Sequence, residues 1–400
     1  MQIDYLVGGL RISLGPGTRT PGPANHIENA VGALRGLGHD VSLYLSAEQP
    51  LLRRFATVGE GAAGGSRTPP LVGDAVRLGA TAVNAARVAA WSASRPADVV
   101  YERAAVLTDL TAAHRWARIG RAVQVVESNG IFSRETAHDR NALAAEGLAR
   151  RVERRLYRRA HLVVAVSDNL AAELCAYADL PDDKVLVVPN GVPPQVAAVP
   201  RPAPGPVVGF AGAVVDWQNL DNLVRAFARV RLARADGRDW RVVVVGDGPA
   251  VPALRDAVRD EGLGDAVRFL PRMSRSDLYA EMATWSVGVA LHRPTSSGTM
   301  YHSPLKLYEY AGLGLTCLVS PSSDATGLQR SGADVVVVEP DADGIAAGLA
   351  EVIGRGPVDV DAARARAASV LREHAWTARM ESVLGRVDDL VRPGRTAVVR

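Results

Sequence analysis

Lysine is almost missing from this chain. Of 46 basic side chains only Lys184 and Lys306 are lysines, and the rest are arginines. A compact ammonium at Lys306 therefore invites a reason of its own. Cysteine is nearly as scarce: Cys175 and Cys317 lie far apart in apolar surroundings. That argues against a disulfide framework and against a zinc site. No apolar run reaches membrane-spanning length, and Val242–Val245 is a buried strand at most. Charge of one sign is lacking too, since 46 basic residues face 43 acidic ones for a net +3. A general nucleic-acid binder is not expected from that balance. The strand-like run Ile3–Val7 comes at once, so no secretory signal is expected and a reducing cytoplasm is the expected setting.

What is present is abundant apolar sequence, 48% of 400 residues, with 22% charged. That suits a globular protein of two domains. Short apolar runs alternate with longer amphipathic ones from end to end, the pattern of α/β folds with parallel sheets. In the first half the strands read as Ile3–Val7, Val41–Leu45, Val99–Tyr101, Val123–Val126, Leu162–Val166 and Val185–Val188. Helices read as Ala24–Gly36 and Leu143–Arg159, and Gly59–Asp74 reads as a loop. Pro193–Pro206 is Pro-rich and reads as a linker. After it the alternation restarts at Val207–Ala211, Leu220–Ala233, Arg241–Val245 and Val251–Glu261, and continues to Ile345–Ile353. The expected domains are 1–194 and 207–375, each Rossmann-like and facing a cleft. A last helix, Asp359–Val391, would place residues 376–391 back on the first domain, and Arg392–Arg400 reads as frayed.

The most telling stretch is Ser303-Pro304-Leu305-Lys306-Leu307-Tyr308-Glu309-Tyr310. Ser303 suits an N-cap and Pro304 the first helical position, so the helix would open on free N–H groups and a positive dipole end. Such an end binds anions, and Lys306 would reach the same anion. Glu309, about one turn on, could accept hydrogen bonds from the two hydroxyls of a ribose. The plainer alternative is a helix start carrying a surface ion pair. Gly246-Asp247-Gly248-Pro249 follows a strand and would let a ligand approach the backbone, although strand–helix turns carry glycine without any ligand. Val188-Pro189-Asn190-Gly191-Val192 follows another strand, and Asn-Gly is first a turn signal. Gly22 near a helix start could approach a phosphate, and His26 in the first turn of that helix could face the cleft or simply be exposed. Glu127 and Asn129 end a strand before Gly130, where polar groups suit contact with hydroxyls. Arg150, Arg151, Arg154, Arg155, Arg158 and Arg159 crowd one helix. That is a solvated basic face, a peripheral membrane contact or a site for an anionic acceptor.

These segments together, in order and spacing, resemble the retaining glycosyltransferases of family 4, with the GT-B fold. The carrying stretches are Gly22–His26 through Gly38–Val41, Val164–Ser167, Val188–Val192, Val245–Pro249 and Ser303–Tyr310. The resemblance implies a nucleotide-sugar donor held mainly by the C-terminal domain, with donor contacts from Gly22, Gly246, Gly248, Tyr301, His302, Ser303, Pro304, Leu305, Lys306 and Glu309. It implies acceptor contacts in the N-terminal domain from His26, Glu127, Asn129 and Arg134. Lys306, Asn129 and His26 would serve the chemistry, with no metal and no cofactor beyond the donor itself. Three departures stand out. Tyr301 takes the place of a sugar-binding glutamate eight positions before Glu309. The loop Gly212–Asn219 has no basic residue where the family often carries two. Asn129 stands where many members place a histidine.

The resulting expectation is retaining transfer of a sugar, deoxygenated or otherwise modified, to a small-molecule acceptor in natural-product or cell-envelope biosynthesis. Alternatives are transfer to nitrogen or sulfur, use of a sugar mimic, and nucleotide-sugar binding without catalysis. A dinucleotide dehydrogenase is disfavoured, because no Gly-x-Gly-x-x-Gly follows the first strand.

Overall fold

Short runs of β-branched residues become twelve parallel strands among the described residues of the computed structural model. The structure describes all residues except Arg11, Pro16, Gly17, Arg19, 49–68, 119–121, 140–141, Ala235, 294–300, Pro357 and 392–400. The chain forms two compact units. One holds Met1–Pro189, Tyr301–Ser303 and Thr377–Arg400; the other holds Asn190–Met300 and Pro304–Trp376.

The first unit carries β1 (Gln2–Val7), β2 (Asp40–Leu45), β3 (Val99–Arg103), β4 (Val123–Ser128), β5 (Leu162–Ala165) and β6 (Val185–Val187), in the order β2-β1-β3-β4-β5-β6. The order reverses between β1 and β3. In a doubly wound sheet such a reversal opens a crevice beyond the carboxyl ends of the strands. β1 pairs with β3 in the register Ile3 with Val99 through Val7 with Arg103. Leu6 and Val100 pack with Val88 and Leu110 in one apolar cluster, and Val126, Val163 and Ala165 pack with Leu156 in another.

The second unit carries β7 (Val207–Ala211), β8 (Arg241–Val245), β9 (Val267–Leu270), β10 (Val287–Ala290), β11 (Thr316–Val319) and β12 (Val335–Val337), in the order β12-β11-β10-β7-β8-β9. Its reversal lies between β10 and β7. Both faces are buried, as parallel sheets require. Phe210, Val242 and Val244 enter one core, and Ala211, Val243 and Val245 the other. Gly209 and Gly288 are register partners on β7 and β10. A Cβ on Gly288 would lie 2.4 Å from the ring of Tyr310, and one on Gly209 would lie 1.9 Å from Trp285. Gly288 thus lets the helix Leu305–Gly312 sink onto the sheet, and Gly209 makes room for Trp285. The Ala211 N–H then donates to the Tyr310 hydroxyl at 2.9 Å.

Several expectations change. The final helix is two, Val360–His374 and Trp376–Val391, because Ala375 is extended (φ −60, ψ 150) and bridges Val192. The helix expected from Ala24 begins at Pro21, with proline at its start. Residues 49–68 lie outside the described set, and the rest of the expected loop at 59–74 is largely the start of the helix Pro70–Ala93. The tail 392–400 also lies outside the described residues. The linker contains a short helix, Pro194–Ala197.

Candidate functional site

In the first unit the strand ends beside the reversal build a cluster around Glu127, which is 1% exposed. The Tyr101 hydroxyl donates to Glu127 Oε2 at 2.7 Å, and Asn129 Nδ2 donates to Oε1 at 2.5 Å. His26 Nε2 lies 2.8 Å from Oε1, and Arg103 Nη1 lies 3.6 Å away. Burial would push the Glu127 carboxyl up, yet His26, Arg103 and the Asn129 hydrogen bond bring it down to about 2. Glu127 is therefore ionised and only accepts. The same bond aims the Asn129 amide nitrogen at Glu127. Tyr101 stacks on Tyr5 at 4.8 Å, and burial with the Glu127 charge holds both hydroxyls protonated.

His26, Glu127 and Asn129 are thus brought together. His26 sits in the second helical turn rather than the first, because the helix starts earlier, and it is buried rather than exposed. Arg134 is engaged elsewhere, 3.0 Å from Glu173 and stacked over the Tyr177 ring. Gly22 stands in the first turn, with nothing within 4 Å of where a Cβ would be. Tyr101 and Arg103 were missed from sequence. Their signal was a polar Tyr-Glu-Arg finish to an apolar strand. Arg103 Nε has no hydrogen-bond partner among the described residues.

Tyr301, His302 and Ser303 belong to this same unit. The Tyr301 hydroxyl donates to Glu135 Oε1 at 3.2 Å, and its carbonyl accepts from the Ser167 hydroxyl at 2.6 Å. His302 packs its ring against Tyr301 at 4.7 Å. A Cβ on Gly130 would lie 1.8 Å from Glu135 Oε1, so glycine there makes room for that carboxylate.

In the second unit the helix Leu305–Gly312 starts one residue later than expected. Pro304 is extended (φ −74, ψ 115) and precedes the helix, and no side chain caps it. Ser303 is therefore not the N-cap. Lys306 is partly buried in the first turn. Its Nζ donates to Gln218 Oε1 at 2.6 Å and lies 4.0 Å from the centre of the Phe210 ring. A Cβ on Gly212 would lie 3.4 Å from the same Nζ. Burial pulls the Lys306 pKa down to about 7, with the Glu309 charge opposing. Glu309 Oε1 accepts from the Tyr279 hydroxyl at 2.9 Å, and burial raises its carboxyl.

Gly246 and Gly248 have a structural reason. A Cβ on Gly246 would meet the Gly212 carbonyl at 1.9 Å, and one on Gly248 the Val214 carbonyl at 2.1 Å. The loops after β7 and β8 therefore pack backbone to backbone, and the Val214 N–H donates to the Asp247 carbonyl. This packing presents Gly212 and Gln218 to Lys306. Gln218, 88 positions from Lys306, had no local signal.

Residues 21–196 match the family model described as Glycosyltransferase Family 4, and residues 205–355 match that of Glycosyl transferases group 1. A 2-deoxystreptamine glucosyltransferase of Streptomyces kanamyceticus is 30% identical over 149 residues, 34% of this chain and 38% of the relative. A D-inositol 3-phosphate glycosyltransferase of Stackebrandtia nassauensis is 35% identical over 157 residues, 33% of this chain and 35% of the relative. The matched stretches thus span little more than a third of either relative. A solved sucrose-phosphate synthase from Thermosynechococcus elongatus superposes with a TM-score of 0.64 at 17% identity, over 98% of this chain and 99% of that one. At that identity the likeness is one of fold.

Proposed function

The chain belongs to glycosyltransferase family 4 and has the GT-B fold, and on that footing we propose that it moves a sugar from a nucleotide-diphosphate donor to a small-molecule acceptor with retention of configuration. The observation that carries this is Lys306. A lone lysine is placed at a helix start, where burial works against its charge, and its hydrogen bond goes to a neutral amide, Gln218, rather than to a carboxylate. A diphosphate there would find the Leu305 and Lys306 N–H groups, the dipole end and the ammonium. Glu309 would take the ribose hydroxyls, in line with the family resemblance.

The negative charge on the leaving diphosphate grows in the transition state, and fixed donors aimed at it lower the barrier. The bond from the anomeric carbon to the phosphate oxygen breaks, and the acceptor oxygen bonds to that carbon on the same face. The acceptor proton passes to the departing phosphate oxygen. That scheme needs no strong base, which suits Asn129, a neutral amide held by Glu127. His26 and Arg103 would bind acceptor hydroxyls, and Arg103 Nε has a donor to offer. The names of the two curated relatives, for 2-deoxystreptamine and for D-inositol 3-phosphate, support a small acceptor. Tyr301 in place of a glutamate supports a modified donor sugar. The proposed setting is the cytoplasm, in natural-product or cell-envelope biosynthesis, with no cofactor beyond the donor.

Lys306→Ala is the test. Donor turnover is expected to fall by roughly 10²–10³, while the unfolding midpoint does not fall. Near-normal turnover would remove the diphosphate assignment. Which donor to use follows from a thermal-shift panel of UDP, GDP, ADP and TDP.

A further inference from the structure

The helix Glu146–Arg159 of the first unit is divided sharply. Ala149, Glu153, Leu156 and Tyr157 are buried. Five arginines on the other side, Arg151, Arg154, Arg155, Arg158 and Arg159, line a cavity of about 350 Å³. Like charges three and four residues apart on a helix repel and destabilise it. The helix's own carboxylates are engaged elsewhere. Glu153 accepts from the Phe132 and Ser133 N–H groups, and Glu146 lies 3.5 Å from His138. Of the five, only Arg158 has an acidic partner among the described residues, Asp179 at 3.5 Å. Arg154 Nε is buried without a hydrogen-bond partner among the described residues.

The cluster continues onto the helix Leu110–Arg118. Arg115 Nη1 donates to the Arg159 carbonyl at 3.3 Å, so the ends of the two helices meet. Next to Arg115 stands Trp116, 83% exposed, and Leu148 on the arginine helix is 42% exposed. An exposed indole on the helix that meets a basic one is a pairing suited to resting on a bilayer. Guanidinium groups meet the headgroup phosphates there, and tryptophan sits at headgroup depth. Among the described residues no helix is long and apolar enough to cross a membrane. The chain's net charge of +3 makes this field local rather than global, which favours a surface contact over a nucleic-acid track.

We propose that the face formed by Arg151, Arg154, Arg155, Arg158 and Arg159, with exposed Trp116 on the adjoining helix, docks the first unit on an anionic lipid surface. This stands independently of the transfer reaction. Sedimentation with vesicles of phosphatidylcholine, with and without phosphatidylglycerol, tests it. The protein is expected to co-sediment with the anionic vesicles alone and to be released steeply by salt. Arg151→Gln with Arg155→Gln, both exposed, is expected to weaken partitioning roughly fivefold per arginine, about twenty-fivefold together. Trp116→Ala is expected to weaken it by less. The proposal is overturned by equal retention on neutral vesicles, by retention unchanged in the double variant, or by single-stranded RNA binding more tightly than vesicles at the same salt. The salt dependence of the unsubstituted protein gives a reading that does not depend on a variant folding.

Discussion

The two units bury carboxylates in opposite ways. Glu127 in the first accepts from Tyr101 and Asn129, with His26 and Arg103 beside it, and its pKa falls to about 2. Glu309 in the second accepts from the Tyr279 hydroxyl, and its pKa rises; Lys306 three residues before it is dragged down to about 7. Both effects start from the same burial cost. The first cluster is complete in the protein alone. The second holds a cation whose charged form is disfavoured until an anion arrives. On the proposed function, a preassembled scaffold would serve a rigid acceptor face, and a strained cation would serve a donor that brings its own charge.

Substitutions at the two centres should therefore move stability in opposite directions. Glu127→Gln removes the charge that Tyr101 and Asn129 donate to and that His26 and Arg103 flank, and turns an amide N–H group toward His26 and Arg103. Breaking a buried ionic contact costs about 3–5 kcal/mol, so a marked fall in the urea midpoint is expected. An unchanged midpoint would show that the cluster is looser than its distances imply. The pH dependence has the matching sign. Glu127 has a folded pKa below its ordinary value, so its contribution is present above about 4.5 and is lost as pH falls toward about 2. Lys306 also has a lowered folded pKa, but for a base that means the unfolded chain binds the extra proton. Its penalty is present below about 7 and is relieved as pH rises toward 10.5. Lys306→Met should flatten that rise in stability.

Ligand binding sharpens the contrast. A nucleoside diphosphate beside Lys306 restores its proton, so binding near pH 8 should take up a proton and weaken as pH rises above about 7. Titration calorimetry in buffers of different ionisation enthalpy measures this directly. Binding without proton uptake, or uptake that persists in Lys306→Met, would place the diphosphate elsewhere.

Much of this frame could be read from sequence because parallel sheets advertise themselves in apolar runs. The helix Leu220–Ala233 falls where its periodicity puts it. The spacing of Lys306 and Glu309 places both on the helix that bears them. What escaped depends on partners distant in sequence. Gln218 reaches Lys306 only because two loops pack on glycine, and those glycines had looked like ligand contacts. Arg103 reads as a strand end until β3 and β4 align it with Glu127. The break at Ala375 comes from pairing with Val192, which no local preference at residues 359–391 announces.

The smallest expected effect is also the one that separates the units' roles most finely. Tyr301 is flanked by segments of the second unit yet makes its contacts in the first, through Glu135 and Ser167. Tyr301→Phe keeps the ring and the carbonyl that accepts from Ser167, and deletes only the hydroxyl that donates to Glu135. Losing one such hydrogen bond costs about 1 kcal/mol, a shift of a few degrees at most in the unfolding midpoint. If Tyr301 also helps to read the donor sugar, the donor KM rises while kcat holds, since a ground-state contact is lost equally in the transition state. A midpoint shift with an unchanged donor KM would leave the hydroxyl a purely structural task, fixing Glu135 against Gly130. The source of sugar selectivity would then have to be sought in residues that contact Lys306 and Glu309.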